Sequence, residues 1–119
     1  MKKLLLSLVI AATAISAKAT IRTVSNATVS AGQYTTVQSA VDASAVGDTI
    51  YIHGSQTNYG DVTLNKRLVL IGAGHNLTGT QFNFPTTLNY IRFSQGNSTT
   101  LPTGTTIKGI SAYGVYGLG

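Results

Sequence analysis

Asp61-Val62-Thr63-Leu64-Asn65-Lys66-Arg67-Leu68-Val69-Leu70-Ile71-Gly72-Ala73-Gly74 reads as two short apolar runs joined by a polar corner. Val62-Thr63-Leu64 alternates, the period of a strand whose side chains point to opposite sides in turn. Asn65-Lys66-Arg67 is a turn. Leu68-Val69-Leu70-Ile71 is almost wholly apolar, which predicts a strand buried on both faces, and Gly72-Ala73-Gly74 ends it. The same design returns downstream: Thr105-Thr106-Ile107-Lys108, then Gly109, then Ile110-Ser111-Ala112-Tyr113. A hairpin fold prefers longer strands of even length. Repeated sharp corners between very short strands favour a solenoid of stacked coils over a β-sandwich.

Working outward from that stretch, Asn58-Tyr59-Gly60-Asp61 is a turn, and before it Thr49-Ile50-Tyr51-Ile52-His53 alternates. Ile50 and Ile52 share one side; Thr49, Tyr51 and His53 share the other. Gly47-Asp48 is the turn that introduces this strand. One helix precedes it. Thr35 is its expected N-cap, with Gln38 three residues on as in a capping box. Val37, Ala40, Val41 and Ser44 give it a small apolar face, and Gly47 closes it. Thr20 to Gly32 is a polar leader with a weak strand at Ile21–Val24. Downstream, His75 to Leu88 reads as an irregular excursion, Tyr90-Ile91-Arg92-Phe93 as a strand, and Ser94 to Gly104 as a loop. A βαβ fold would need a second helix, and no other segment has helical spacing.

The first segment is an address. Met1-Lys2-Lys3 is positive, Leu4 to Ile15 is apolar except for Ser7 and Thr13, and Ala17-Lys18-Ala19 is a small-x-small cleavage site. These features predict a secretory signal peptide over residues 1–19, cut after Ala19. The apolar run is 12 residues, short of the roughly 20 that span a bilayer, so no membrane span is expected after cleavage. The product is expected to be secreted or periplasmic.

The whole chain has 119 residues, a net charge of +5, 43% hydrophobic and 9% charged residues, and no Cys or Trp. That composition excludes a disulfide scaffold, a Cys-ligated zinc site, a coiled coil and a charge-rich disordered chain. Lys2, Lys3 and Lys18 belong to the signal segment, and Arg22, Lys66, Arg67, Arg92 and Lys108 then face Asp42, Asp48 and Asp61. Only Lys66 and Arg67 are adjacent, so the clustered basic face that nucleic acid requires is missing. The remaining 100 residues hold 17 Thr, 8 Ser, 7 Asn and 13 Gly, a strand-and-turn composition.

Three blocks carry a resemblance. They are Thr36-Val37-Gln38-Ser39-Ala40-Val41-Asp42-Ala43, Val46-Gly47-Asp48-Thr49-Ile50-Tyr51-Ile52, and Asp61 to Gly74. The segment 34–74 is similar to the N-terminal cap and first turn of right-handed parallel β-helix proteins of the pectate-lyase-like superfamily. The resemblance is specific for architecture and not for activity. It implies a mainly β solenoid with a short N-terminal capping helix. In it Val37, Ala40 and Val41 would plug the open end, because a bare apolar cross-section must be covered. Ile50, Ile52, Val62, Leu64, Leu68 and Leu70 would point into the stack; Thr49, Tyr51, His53 and Thr63 would point out. Coils of about 20–25 residues would give roughly three or four turns. With no second capping helix before Gly119, the expectation is the N-terminal piece of a longer protein, its open end covered by further coils or by another chain. The organisation is then 1–19 signal, 20–33 leader, and 34–119 cap and first coils.

The chemistry-bearing residues are sparse. Asp48 and Asp61 lie in turns and read as turn contacts, and Asp42 as a solvated helix residue. Glycoside hydrolysis needs two carboxylates, and no pair stands out here. Residues for lyase chemistry would, by the resemblance, lie in later coils. Lone His53 and His75 do not make a metal site. Ser55, His53 and Asp61 form a triad only on paper. Gly72-Ala73-Gly74 lacks the third glycine, the helix and the acidic residue of a dinucleotide fingerprint, so no cofactor is expected. Asn26, Asn76 and Asn97 open sequon matches, as chance gives in so Thr-rich a chain.

The binding candidates are Tyr51, Tyr59, Tyr90 and Tyr113, with Tyr116 beside them. An exposed aromatic offers apolar area with a polar tip to a sugar ring; the plainer reading is stacking between neighbouring coils. The functional expectation is an exported β-helix module with a structural role and glycan or cell-surface binding on its flank. The alternative is the start of a polysaccharide lyase or glycoside hydrolase whose active site lies beyond Gly119. A small β-sandwich binding module is a third, weaker reading.

Overall fold

The computed structural model describes residues 18–27, 32–74, 84–95 and 102–118. Residues 1–17, which hold most of the expected signal segment, and His75 lie outside them. Seven strands and one helix follow in order: β1 (Ile21–Val24), α1 (Val37–Ala43), β2 (Thr49–Ile52), β3 (Val62–Leu64), β4 (Val69–Gly72), β5 (Thr86–Ser94), β6 (Thr106–Lys108) and β7 (Ile110–Leu118). One sheet has the order β1-β2-β4-β6 and the other β3-β5-β7. Every pairing in both is parallel. The chain is thus a parallel β-helix of about three turns with a short helix at its start.

Register stacks like on like. Ile50, Leu70 and Ile107 form one inward column, and Val62, Ile91 and Val115 another. Ile50, Ile52, Leu64, Leu68 and Leu70 are fully buried. The spacing along the chain is uneven, although the rungs are not. Val69 lies 20 residues after its partner Thr49, and Thr106 lies 37 after its partner Val69.

A third side completes the cross-section. Thr86 and Leu88 point inward, and so does Ile91, so β5 changes parity at Asn89. Its first half receives Tyr59 N–H on Thr87 O (3.0 Å), and Asn89 N–H donates back to Gly60 O (2.9 Å). On its far side Thr86–Leu88 pairs with Ile110–Ala112. The expected excursion therefore ends before Thr86, not at Leu88. Thr86 is fully buried because its hydroxyl is satisfied on both roles: it donates to Ile52 O (2.9 Å) and accepts Ala73 N–H (2.9 Å). One side chain ties successive turns together.

The corners work as read. Gly109 takes a left-handed φ of +64°, a region open to glycine at no steric cost. A Cβ on Gly72 would lie 2.3 Å from Gly109 O, so the two stacked corners approach backbone to backbone. Expected burial of β4 on both faces is corrected, however. Val69 and Ile71, which alternate with the inward Leu70, are only partly buried among the described residues.

The helix covers the start of the stack, packing against β1, β2 and β3. Val37, Ala40 and Val41 are buried in one cluster with Val24 and the inward strand residues. Its N-cap is Thr36, one residue later than expected; the Thr36 hydroxyl accepts Ser39 N–H (3.2 Å). The shift frees Gln38 from any capping box. Its amide instead accepts Thr63 N–H (2.8 Å) and donates to Thr63 O (3.2 Å), closing the open edge of β3 as a neighbouring strand would. At the other end Ser44, not Gly47, is the C-cap. Lys66 Nζ donates to Val41 O (3.1 Å) and Ser44 O (2.8 Å), placing a cation on the negative end of the helix.

Candidate functional site

The four candidate tyrosines occupy different sides of the stack. Tyr51 is an outward residue of β2, 37% exposed, with its ring edge-on to His53 at 5.2 Å. Tyr59 is half-buried against the core, and its hydroxyl donates to His53 O (2.9 Å). Burial pushes its phenol pKa up, partly offset by hydrogen bonding from the Asn26 backbone and Ser25. Tyr59 is a strut between turns; its ring is not a free platform.

Tyr90 faces outward from the second half of β5. The Tyr116 ring sits 5.6 Å away, tilted 45°. Tyr116 reaches it by leaning over Gly114, where an added Cβ would meet the ring at 3.0 Å. The Arg92 guanidinium lies 5.8 Å from the Tyr90 centroid and 3.0 Å from Asp61. This is stacking between neighbouring coils, extended by an ion pair.

Tyr113 differs. It is 77% exposed and lies at the mouth of a groove of about 410 Å³. Ser55, Gln56, Asn58, Phe84, Pro85 and Thr87 line the rest. Phe84 and Pro85 supply an apolar floor, and Asn58 and Ser55 are fixed by local turns: Asn58 Oδ1 accepts Gly60 N–H (2.6 Å) and Ser55 Oγ accepts Thr57 N–H (3.1 Å). No lining residue is charged. Such a surface can stack on an apolar ring face and exchange hydrogen bonds with hydroxyls. Of the groove residues only Tyr113 is legible in the sequence as a binding candidate, and Ser55 enters there only in the paper triad; the others come together through the third side of the stack.

The acidic residues are engaged separately. Asp42 accepts from Gln38 (3.0 Å), and Asp61 is paired with Arg92. With Asp61 turned to Arg92 and Ser55 to Thr57, the paper triad has no relay. Asp48 is only 3% exposed and is far more than a turn residue. Its Oδ1 accepts Thr20 N–H (2.9 Å), its Oδ2 accepts Ala45 N–H (2.9 Å), and Arg22 stands 3.6 Å away. The two backbone donors, helped by Arg22 and Lys66, outweigh burial and hold its carboxyl below the usual carboxylate range.

Among the described residues no group of three His, Cys, Asp or Glu comes together, and no helix is long and apolar enough to cross a membrane. Comparison of the chain with protein-family models, with curated proteins and with solved structures found no match in any of the three.

Proposed function

We propose that this chain is an exported parallel β-helix module, secreted or periplasmic. It serves as a scaffold and holds neutral saccharide units of a glycan or cell surface in the groove beside Tyr113. The observation that carries the binding reading is the composition of that groove: one exposed ring, apolar Phe84 and Pro85, two amides, two hydroxyls and no charge. A pyranose has the matching chemistry, an apolar C–H face with hydroxyls at its rim. The export reading rests on the positive, apolar and small-x-small sequence of residues 1–19. Kinship with the right-handed pectate-lyase-like β-helix proteins is part of the same proposal, supported by segment 34–74 and by the helix that covers the stack.

A glycan array tests it. The parent is expected to bind neutral glycans, Tyr113→Ala to lose that binding at least tenfold, and Tyr51→Ala and Tyr90→Ala to keep it. A parent that binds nothing sinks the proposal; equal loss in all three variants moves the site off the groove.

A further inference from the structure

Thr20 is the first residue after the expected cut, and both of its backbone polar groups are already in place. Its carbonyl accepts Thr49 N–H (2.9 Å), and its nitrogen lies 2.9 Å from the buried Asp48 carboxylate. We propose that cleavage after Ala19 turns this contact into a lock: the new α-ammonium of Thr20 forms a part-buried ion pair with Asp48 and pins β1 to the first turn. This rests on the export reading.

The chemistry is hydrolysis by a signal peptidase. Water adds across the Ala19–Thr20 amide, the carboxylate leaves with Ala19, and the Thr20 nitrogen becomes a primary amine that takes a proton at neutral pH. The nitrogen need not move, because β1 is held in register with β2 from Ile21 to Val24. An amide donor is thereby replaced by a cationic one, which adds the attraction of opposite charges to a bond that the carboxylate already strengthens. The charged groups around the pair are Arg22, 3.6 Å from Asp48, whose Nε also donates to Ser44 Oγ (3.2 Å), and Lys66 on the carbonyls at the end of α1. Both are cations, so Asp48 is the one anion available to the new terminus there. Before cleavage the same carboxylate holds Thr20 only through its backbone amide, so processing itself strengthens the first rung.

The test begins with the exported product of the full chain. Mass spectrometry reads its N-terminus, and acetic anhydride then labels its amines across pH 6–11, with exposed Lys108 as internal reference. An ordinary α-amino group titrates near 7.7–8.0. The lock raises that midpoint by about one unit or more in the folded protein, which slows labelling at pH 8 about fivefold relative to the same protein in urea. Asp48→Asn restores the ordinary midpoint; if that variant does not accumulate, the urea-unfolded parent remains the reference. The midpoint, not the rate alone, separates ion pairing from simple shielding. A Thr20 terminus with an ordinary midpoint overturns the lock and leaves export standing. A terminus elsewhere overturns the lock together with the cut after Ala19, and a chain that keeps Met1 and stays in the cell overturns the export reading as well.

Discussion

Val62, Ile91 and Val115 stand in one register column of the second sheet, and their surroundings differ sharply. Val62 and Ile91 are 1% exposed, and Val115 is 57% exposed. All three are β-branched and all face inward. The first is covered by the helix and the strands above it, the second by turns on either side, whereas β7 is the last strand of its sheet among the described residues. Burial here is therefore a property of position in the stack, not of the residue or its direction. The helix-covered end uses every device for closing a sheet: an apolar plug, the Gln38 amide on the β3 edge, and Lys66 on the helix terminus. The β7 end presents Tyr113, Val115 and Tyr116 instead.

The strongest way to break this contrast is to place the same charge at both ends. Val41→Asp buries an unpaired carboxylate under the helix and should cost about 4 kcal/mol or more, with aggregation on export. Val115→Asp should cost about 0.5 kcal/mol or less. Urea midpoints decide; equal losses would show that α1 does not cover the stack.

Acid sharpens the same contrast. Asp48 has a folded pKa below its ordinary 3.8. Its contribution is therefore full above that ordinary value and is lost as pH falls through the lower folded one. The parent should lose melting temperature below about pH 4 as β1 loosens, and Asp48→Asn should flatten that part of the profile while lowering stability at neutral pH. An unchanged acid limb in Asp48→Asn would assign the loss to other groups.

The smallest effect is expected on the outer face. Asp61 and Arg92 pair with side chains 39% and 40% exposed, and exposed pairs are worth about 0.2–1 kcal/mol, less with salt. Asp61→Asn should shift the urea midpoint barely, and not at all in 0.5 M salt. A larger loss would mean that the Tyr90–Tyr116 stack depends on Arg92 being held.

Local pattern carried the architecture well. The corner at Asn65–Arg67, the corner at Gly109 and the apolar face of α1 are each legible within a dozen residues. What escaped the sequence depends on partners far along the chain. Asp48 is buried because a backbone amide 28 residues upstream reaches it, and Gln38 faces β3 from 25 residues away. The cap falls on Thr36 and not on the expected Thr35, and two neighbouring residues of one type give the sequence no means to tell them apart. Thr86 and Thr87 looked like loop because they are polar and follow proline. Their strand exists through Gly60 and Ile110, and the groove beside Tyr113 exists through the same side.

The uneven chain length between level rungs has a practical reading. Twenty residues carry the chain from Thr49 to the rung above and 37 carry it from Val69 to the next, yet both steps land in parallel register. Height is counted in strands, while contour is spent at the corners. Segments can therefore be spliced in at a corner without altering the storey above, and chemistry can be added to such a tower from the outside, floor by floor.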